Sequence, residues 1–321
     1  MLKALLFYIH DAATHHISSP TFELQISSLV ETFSFQHVNC YFIEDSISFT
    51  FPHKSLSSSY FFSQLTNSPI LFHIDEQLYQ YTEVLIISND LLFLQQIKPY
   101  SLYTIGYMDS SDFLPTTYCF ESFEELDYSY FFHIYQRYQK EPITILSTNR
   151  TIIRELSSKD LPDLYELFQD KQNTFYLSEP HLTYDDFFTK WNSYIDRIYP
   201  LYDFGLWGVF SKDTNTLIGQ FGIQNVTIAH SQEIEVGYLL GQQYHRKGIG
   251  KEVLQAIFHY VKTELNLNHL VAVIQPDNIS SIALARTCGM QLEKTIMLDN
   301  RNMLLYSIDI NENWISEFSK S

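Results

Sequence analysis

The stretch IEVGYLLGQQYHRKGIGKEVLQAIF, residues 234–258, joins a strand pattern to a helix pattern through a turn that contains two glycines. The short apolar run IEVGYLL predicts a strand, and apolar residues at helical spacing predict a helix over 251–265. Gly248 and Gly250 let the backbone come close to a ligand. Successive N–H groups at the start of a helix, where the helix dipole is positive, suit a phosphate. The stretch therefore predicts an anion-binding turn in an α/β fold.

The same turn concentrates positive charge in an acidic chain. Arg246, Lys247 and Lys251 surround the glycines, whereas the whole chain has 20 basic and 37 acidic side chains and a formal net charge of -17. We expect an anionic ligand at this local patch. A side chain at Gly250 is expected to obstruct that ligand or to forbid a positive φ that the turn requires. An ordinary loop is the alternative that the turn by itself leaves open.

A second segment, QPDNISSIALARTCGM at residues 275–290, follows the strand pattern LVAVIQ at 270–275. Asn278 and Ser281 are residue types that cap free N–H groups at the start of a helix, and Gly289 suits the end of one. The segment therefore predicts a short helix. Capping explains Asn278 and Ser281 without any ligand, and contact with a ligand is the alternative.

The strand and helix patterns continue outward through the rest of the second half. They are TIIREL (151–156), a helix over 159–169, GLWGVF (205–210), LIGQFGIQNV (217–226) and MLLYSIDI (303–310). The polar and aromatic stretch from residue 170 to residue 202 is assigned no element. Strands interspersed with helices predict an α/β domain.

In order and spacing these segments resemble the GNAT superfamily of acetyl-CoA-dependent N-acyltransferases, over about residues 150–310. The family's pyrophosphate loop, Gln/Arg-x-x-Gly-x-Gly/Ala, corresponds to residues 245–250, and His245 departs from its first position. The strand EVGYLL and the pattern Asn-x-x-Ser-x-x-Leu from Asn278 match further family motifs. With RELSSKDLPDLYEL at 154–167, the chain looks most like the branch that acetylates ribosomal-protein N-termini. The resemblance implies an N-acetyltransferase with a mixed sheet and flanking helices.

The resemblance has specific implications for the cofactor, acetyl-CoA. The strands IEVGYLL and LVAVIQ would run parallel and then splay, and the pantetheine arm would lie in the gap between them. The turn would hold the pyrophosphate, and Asn278 would meet the cofactor from the other side. The implied cofactor-binding residues are Leu239, Leu240, His245, Arg246, Lys247, Gly248, Ile249, Gly250, Lys251, Asn278 and Ser281. No metal is expected.

The implied reaction is direct attack of an amine on the thioester in a ternary complex, which requires loss of the ammonium proton. The branch often carries a carboxylate at one point of the strand, so the implied base is Glu235. Alternation places Glu233, Glu235 and Gly237 on one strand face and Tyr238 on the other, where we expect it in the core. A solvated or ion-paired strand residue is the alternative for Glu235.

The departing thiolate must also gain a proton. Many family members have a tyrosine where this chain has Ala285. Water, Tyr244 or Cys288 could substitute, although a cysteine in a short apolar helix is expected to be inert packing. We therefore hypothesise that no side chain is essential for this step.

The expected acceptor is a primary amine, either a protein N-terminus or a small amine. The implied acceptor side, residues 173–207, contains carboxylates and aromatic rings, which suit a cationic amine. They are Glu179, Asp185, Asp186, Asp203, Tyr176, Tyr184, Tyr199, Tyr202 and Trp207. Amphipathic helices with buried aromatics and solvated carboxylates explain the same composition without a ligand.

Residues 1–146 form one predicted domain and residues 147–321 a second, because 321 residues exceed what one core usually organises. The boundary is placed where the strand-like ITIL gives way to the polar STNRT. The predicted strands of the first domain are LKALLFYI (2–9), SPILFHI (68–74), EVLIIS (83–88), LYTIGY (102–107) and TYCF (117–120), and its predicted helices span 21–35, 90–97 and 122–139. Apolar strands that alternate with helices predict a doubly wound parallel sheet covered on both faces.

The order of these elements resembles the haloacid dehalogenase (HAD) superfamily. That family ends its first strand in an Asp-x-Asp pair, but the aligned positions here are Tyr8 and His10. A register shifted to Asp11 puts Ala13 at the second position, so neither register restores the pair. Asp90 matches the family's late acidic position, and one carboxylate is not a magnesium site. The resemblance therefore implies a HAD-like domain that has no catalytic role.

Composition excludes several other classes. An apolar content of 45% indicates a globular protein, and the net charge of -17 has the wrong sign for binding nucleic acid or anionic lipid. Three distant cysteines and the lack of a long apolar run favour a protein of the cytoplasm, outside any membrane. High Phe, Tyr, Ile and Asn with little Ala and Gly indicate an AT-rich bacterial genome. The other hypotheses are a non-catalytic acyl-CoA-binding or sensor protein, a HAD-type phosphohydrolase, and a metal cluster of His10, His15 and His16 beside Asp11.

Overall fold

The computed structural model describes residues 1–9, 20–43, 54–56, 71–74, 77–108, 113–124, 126–170, 176, 182–228, 231–298 and 300–311. The chain divides into two compact units, Met1–Glu141 and Pro142–Ser321. The division follows residue 141, whereas the sequence places the boundary near 147. Thr144–Ser147, which overlaps the ITIL run, pairs antiparallel with Thr151–Arg154 and so belongs to the second unit.

The main sheet of the first unit has six strands, and every pair of neighbours is parallel. The strands of this unit are β1 (Ala4–Tyr8), β2 (Asn39–Ile43), β3 (Lys54–Leu56), β4 (Leu71–Ile74), β5 (Gln77–Gln80), β6 (Val84–Ser88), β7 (Tyr103–Tyr107) and β8 (Tyr118–Phe120). The order in the sheet is β3-β2-β1-β6-β7-β8. The prediction that the strand at 68–74 joins this sheet was wrong. It pairs with β5 instead, because strands two residues apart form an antiparallel hairpin.

Helices cover both faces of this sheet. They are α1 (Pro20–Phe35), α2 (Leu91–Ile97) and α3 (Tyr128–Tyr138). Buried side chains of α1 and α3 pack with Phe7 and Phe42, whereas those of α2 pack with Leu6 and Ile86. Successive strand residues point to opposite faces, so the unit is doubly wound, as predicted. The last helix begins later than the predicted residue 122 because Asp127 caps it.

The second unit contains an eight-stranded mixed sheet. Its strands are β9 (Thr144–Ser147), β10 (Thr151–Arg154), β11 (Leu206–Ser211), β12 (Leu217–Ile228), β13 (Ser231–Leu240), β14 (His269–Ile274), β15 (Gln291–Leu298) and β16 (Arg301–Asp309). The order is β15-β16-β14-β13-β12-β11-β10-β9. β13 and β14 are parallel, and the other neighbours are antiparallel. β15 was not predicted.

Within the described residues, four helices flank this sheet: α4 (Leu161–Gln169), α5 (Tyr184–Tyr202), α6 (Ile249–Thr263) and α7 (Ile279–Thr287). Apolar residues of α6 at helical spacing, including Val253 and Ile257, pack with Trp207 of β11. Trp191 of α5 and residues of α4 pack with Leu206, the neighbour of Trp207. The two helix layers therefore lie on opposite faces. Among the described residues, no helix combines the length and apolar character needed to cross a membrane.

Candidate cofactor and acyl-transfer site

The turn between β13 and α6 has the backbone of an anion site. Arg246 and Gly248 adopt left-handed φ angles of 57° and 78°. Gly248 directly precedes the helix and has no side chain with which to cap it, so the first N–H groups of α6 face outward at the positive end of the helix dipole. The side chains of Arg246, Lys247 and Lys251 are exposed beside them. The arrangement can bind a phosphate through backbone N–H groups.

Gly250 contributes close approach, not an unusual backbone angle. The positive φ that the sequence suggested for Gly250 occurs at Gly248 instead. A Cβ added to Gly250 would lie 3.3 Å from Cδ2 of Leu284 on α7 and 3.9 Å from Cδ2 of Leu240. Gly250 therefore lets the start of α6 pack closely against α7.

The His245 side chain folds back onto the end of β13. Its Nε2 atom lies 2.8 Å from the carbonyl oxygen of Leu240. A carbonyl only accepts hydrogen bonds, so His245 donates and carries its proton on Nε2. His245 therefore stabilises the turn that precedes Gly248, in a position where the family pattern has Gln or Arg.

A gap opens beside the turn between β13 and β14. Among the described residues, their parallel pairing is confined to Glu235 opposite Val271. Gly241 donates its N–H to Ile218 of β12 at 2.8 Å. Because backbone groups alternate along a strand, the N–H and carbonyl of Leu239 also face β12, whereas those of Leu240 face the gap. The carbonyl of Leu240 already accepts from His245, so the N–H of Leu240 is the backbone group placed to meet a pantetheine arm.

The Glu235 carboxyl lies where β13 and β14 separate. Its Oε2 accepts a hydrogen bond from Nε2 of Gln224 at 3.0 Å, and the backbone N–H of Val273 also bonds to it. Burial raises the pKa of Glu235, although these two hydrogen bonds act in the opposite direction. A raised pKa makes a carboxylate a stronger proton acceptor. The partly buried Glu235 carboxylate, held by two hydrogen bonds, is in surroundings where it can accept a proton.

Gln224 is a functional candidate that sequence reasoning missed. It lies opposite Glu235 in the antiparallel pairing of β12 and β13. The spacing of Gln224 and Glu235 about a tight hairpin was the signal in the sequence. Reading it requires the register of the two strands, which the turn between them determines.

The side chain of Asn278 caps the start of α7. Its Oδ1 accepts the backbone N–H of Ser281 at 3.1 Å. The hydroxyl of Tyr238 donates to the carbonyl of Ser281 at 2.9 Å, and its ring stacks on Phe221. Capping thus accounts for Asn278, and Ser281 takes part through its backbone. Tyr238 packs against the core, as predicted, and ties β13 to α7.

The candidates for protonating the thiolate differ in their surroundings. Ala285 is completely buried, so no polar group replaces the tyrosine that many family members have there. Burial raises the pKa of the buried Cys288 thiol to about 12, which fits inert packing. Tyr244 is partly buried in the turn, with Nζ of Lys247 5.8 Å from its ring centroid.

We expect the Tyr244→Phe variant to keep its turnover within about threefold of the wild type, because water can protonate the thiolate. Steady-state thiol release from acetyl-CoA measures this. An essential general acid contributes about 100- to 10,000-fold, so a loss of that size with acetyl-CoA affinity intact would assign the step to Tyr244.

Two of the residues on the implied acceptor side, Tyr199 and Trp207, are buried, whereas five others are exposed. Trp191 and Tyr199 of α5 are buried, and the hydroxyl of Tyr199 donates to the carbonyl of Leu206 at 2.6 Å. Asp185 and Asp186 are exposed in the first turn of α5, where the helix dipole favours negative charge. The exposed residues at the ends of α5 are Tyr184, Tyr202 and Asp203. Glu179 lies outside the described residues.

Tyr176 is the acceptor-side residue that reaches towards the gap. Its hydroxyl donates to the carbonyl of Asp277 at 3.1 Å, and its own carbonyl accepts from Nε2 of Gln275 at 2.9 Å. Tyr176 therefore joins the acceptor-side segment to the loop between β14 and α7.

In the first unit, the late acidic residue has a structural role. Oδ1 of Asp90 accepts the N–H of Phe93 at 2.7 Å and caps α2. The ring of Tyr8 stacks on Phe93. The residues His10, Asp11, Ala13, His15 and His16 lie outside the described residues. Within the part of the chain that the structure describes, no group of three His, Cys, Asp or Glu side chains could hold a metal ion.

Comparisons with known proteins bear on this site. A family model described as an acetyltransferase (GNAT) domain matches residues 150–291. The uncharacterized N-acetyltransferase YnaD of Bacillus subtilis is 30% identical over 46% of this chain and 83% of its own length. The ribosomal protein uS5-alanine N-acetyltransferase of Escherichia coli is 23% identical over 47% of this chain and 80% of its own. The crystal structure of a GNAT-family acetyltransferase from Bacillus anthracis matches with 24% sequence identity and a TM-score of 0.45. The match covers 52% of this chain and 99% of the Bacillus anthracis chain.

The second unit is an acyltransferase domain, with a mixed sheet, flanking helices and a glycine-containing turn before α6. The chain belongs to the GNAT acetyltransferase family. Proteins of this fold use acetyl-CoA, and N-acetyltransferases of the family move an acyl group to an amine.

Proposed function

We propose that this protein moves an acetyl group from acetyl-CoA to a primary amine, by direct attack in a ternary complex. The observation that carries the proposal is the uncapped start of α6, where left-handed Arg246 and Gly248 present backbone N–H groups next to the gap between β13 and β14. Acetyl-CoA supplies the activated acyl group as a thioester. No metal has a role in this reaction.

The proposed cofactor site combines direct and indirect contacts. The turn binds the pyrophosphate, and the backbone of Leu240 meets the pantetheine arm. Asn278 and Ser281 act through the position of α7, because Oδ1 of Asn278 binds the backbone N–H of Ser281 in the first turn of that helix. The full set is Leu239, Leu240, His245, Arg246, Lys247, Gly248, Ile249, Gly250, Lys251, Asn278 and Ser281, in which Leu239 contributes packing and His245 supports the turn.

Glu235 is the proposed base. Its carboxylate takes the ammonium proton of the acceptor, directly or through one water, and the free amine then attacks the thioester carbon. The amide of Gln224 orients the carboxylate for this transfer. Water returns a proton to the departing thiolate.

The proposed acceptors are protein N-termini and small amines of the cytoplasm. Free thiol release from acetyl-CoA with a panel of amines tests whether the protein turns over. Mass spectrometry of a cell lysate, incubated with the protein and labelled acetyl-CoA, separates labelled N-termini from labelled small amines. Binding of acetyl-CoA without thiol release in either assay would instead favour the sensor hypothesis.

We further propose that the first unit is a HAD-like scaffold without catalytic activity. The position of β6 beside β1 and the cap formed by Asp90 support this reading. A carboxylate that accepts a helix N–H already has a structural function.

Purified protein with magnesium is expected to release no phosphate from an aryl phosphate, because Tyr8 and His10 stand where a carboxylate pair is needed. A colorimetric phosphate assay against a blank without protein measures this. Magnesium-dependent release that disappears in Asp11→Asn would contradict the prediction.

A further inference from the structure

Arg150 reaches the proposed phosphate turn from a distant part of the chain. It lies in the short connection between β9 and β10, and its NH1 donates to the carbonyl of Lys247 at 2.7 Å. Its Nε and NH2 both lie 2.7 Å from Oε2 of Glu252, and its backbone N–H donates to Oε1 of Glu252 at 2.9 Å. The Arg150 guanidinium therefore bonds to both ends of the turn.

These bonds fall on the part of the turn with an unusual backbone. The carbonyl of Lys247 lies between the two left-handed residues, Arg246 and Gly248. Glu252 is in the first turn of α6 and donates its own N–H to the carbonyl of Gly248. A left-handed conformation is unfavourable for a residue with a side chain, such as Arg246, so an external contact is needed to hold it.

The connection that carries Arg150 is itself held in place. The backbone N–H of Lys212 donates to the carbonyl of Arg150 at 2.9 Å, and Nζ of Lys212 donates to the carbonyl of Thr148. The hydroxyls of Thr148 and Thr151 lie 2.7 Å apart. Arg150 is thus presented from a rigid hairpin.

The positive charge of Arg150 is paired with the negative charge of Glu252. Burial acts to raise the pKa of Glu252, but hydrogen bonds from Thr148 and Arg150 outweigh it and lower the pKa. Glu252 is therefore ionised at neutral pH and neutralises Arg150. Three of the five N–H groups of the Arg150 guanidinium bond to Glu252 and Lys247, so most of its donors serve contacts within the protein.

We propose that Arg150 is a positioning residue, which holds the turn so that the first N–H groups of α6 remain aimed at the pyrophosphate of acetyl-CoA. The proposal rests on the proposed function. The contacts of Arg150 order the turn in the free protein, before the ligand arrives. Binding of acetyl-CoA then does not have to supply the free energy of ordering the turn. The guanidinium is suited to this because its planar fork bonds a carbonyl and a carboxylate at once.

The test compares two thioesters, acetyl-CoA and acetyl-pantetheine, which lacks the pyrophosphate. In Arg150→Ala we expect KM for acetyl-CoA to rise about 10- to 100-fold, with kcat within about threefold and KM for acetyl-pantetheine unchanged. Glu252→Gln should show the same split, and Arg150→Lys should recover part of the loss. Lys247→Ala is the matched control, because it removes one positive charge from the same turn. Its KM for acetyl-CoA should rise only about two- to fivefold.

An independent readout uses the protein without ligand. Hydrogen exchange at the amides of 246–252 should be faster in Arg150→Ala than in the wild type. Unchanged KM for acetyl-CoA in Arg150→Ala, or equal losses for both thioesters, would overturn the proposal. If the wild type turns over neither thioester, the proposed function fails, and unchanged exchange in Arg150→Ala would then separately refute the positioning role.

Discussion

Calorimetric titration of acetyl-CoA into Gly250→Val is expected to show a loss of about 2 to 4 kcal/mol in binding free energy relative to the wild type. Gly250 lies where the first N–H groups of α6 face the proposed pyrophosphate. A Cβ at this position is already 3.3 Å from Leu284, so the branched side chain of valine cannot be accommodated there without moving α7 or covering the N–H groups. Either outcome disturbs the start of α6, on which the proposed phosphate site depends.

The matched comparison is Lys247→Ala. Its side chain is exposed, so its removal deletes one screened charge and should cost about 0.5 to 1 kcal/mol. The control for folding is the melting temperature of Gly250→Val, which should be close to that of the wild type. If the folded valine variant binds acetyl-CoA with unchanged affinity, the turn is not the phosphate site.

Glu235→Gln is expected to lower kcat about 100- to 10,000-fold, with acetyl-CoA affinity unchanged. The amide keeps the shape of the carboxylate but cannot accept a proton at neutral pH. Glu233→Gln is the control, because Glu233 lies on the same strand face and its carboxylate bonds to Ser231. Equal activity of Glu235→Gln and Glu233→Gln would exclude Glu235 as the base.

The pH profile provides a second measurement on the same residue. A base acts in its ionised form, and burial raises the pKa of Glu235. We therefore expect kcat/KM to fall as the pH decreases through this raised pKa, at a higher pH than for an ordinary glutamate. This acidic limb should be absent in Glu235→Gln. A limb that persists in the variant belongs to another group.

The second half of the chain shows where sequence patterns predict structure well and where they do not. β13, the turn and α6 were predicted because an apolar run, two glycines and helical spacing follow one another directly. α5 was missed although it spans 19 residues. Its sequence mixes aromatic rings with carboxylates, and its buried face is defined by packing against α4 and the sheet.

The first half shows the same division. The parallel strands were predicted by their continuous apolar character, which double-sided burial requires. The strand at 71–74 is equally apolar, yet it belongs to a hairpin, because its pairing depends on the partner that follows it. The hydrophobicity of one strand does not predict which strand it pairs with.

The sequence by itself determined the local framework of this protein. The turn before α6, the cap at Asn278 and the strand that carries Glu235 depend on neighbours in the chain, whose types and spacing are visible in one sequence. Only the tertiary structure decided that Gly248 takes the left-handed angle, that Gln224 faces Glu235, and that Arg150 bonds to Lys247 and Glu252. These pairs meet because strands choose a register and a hairpin docks onto a helix. Such long-range contacts are set by packing of the whole core, so no local pattern predicts them.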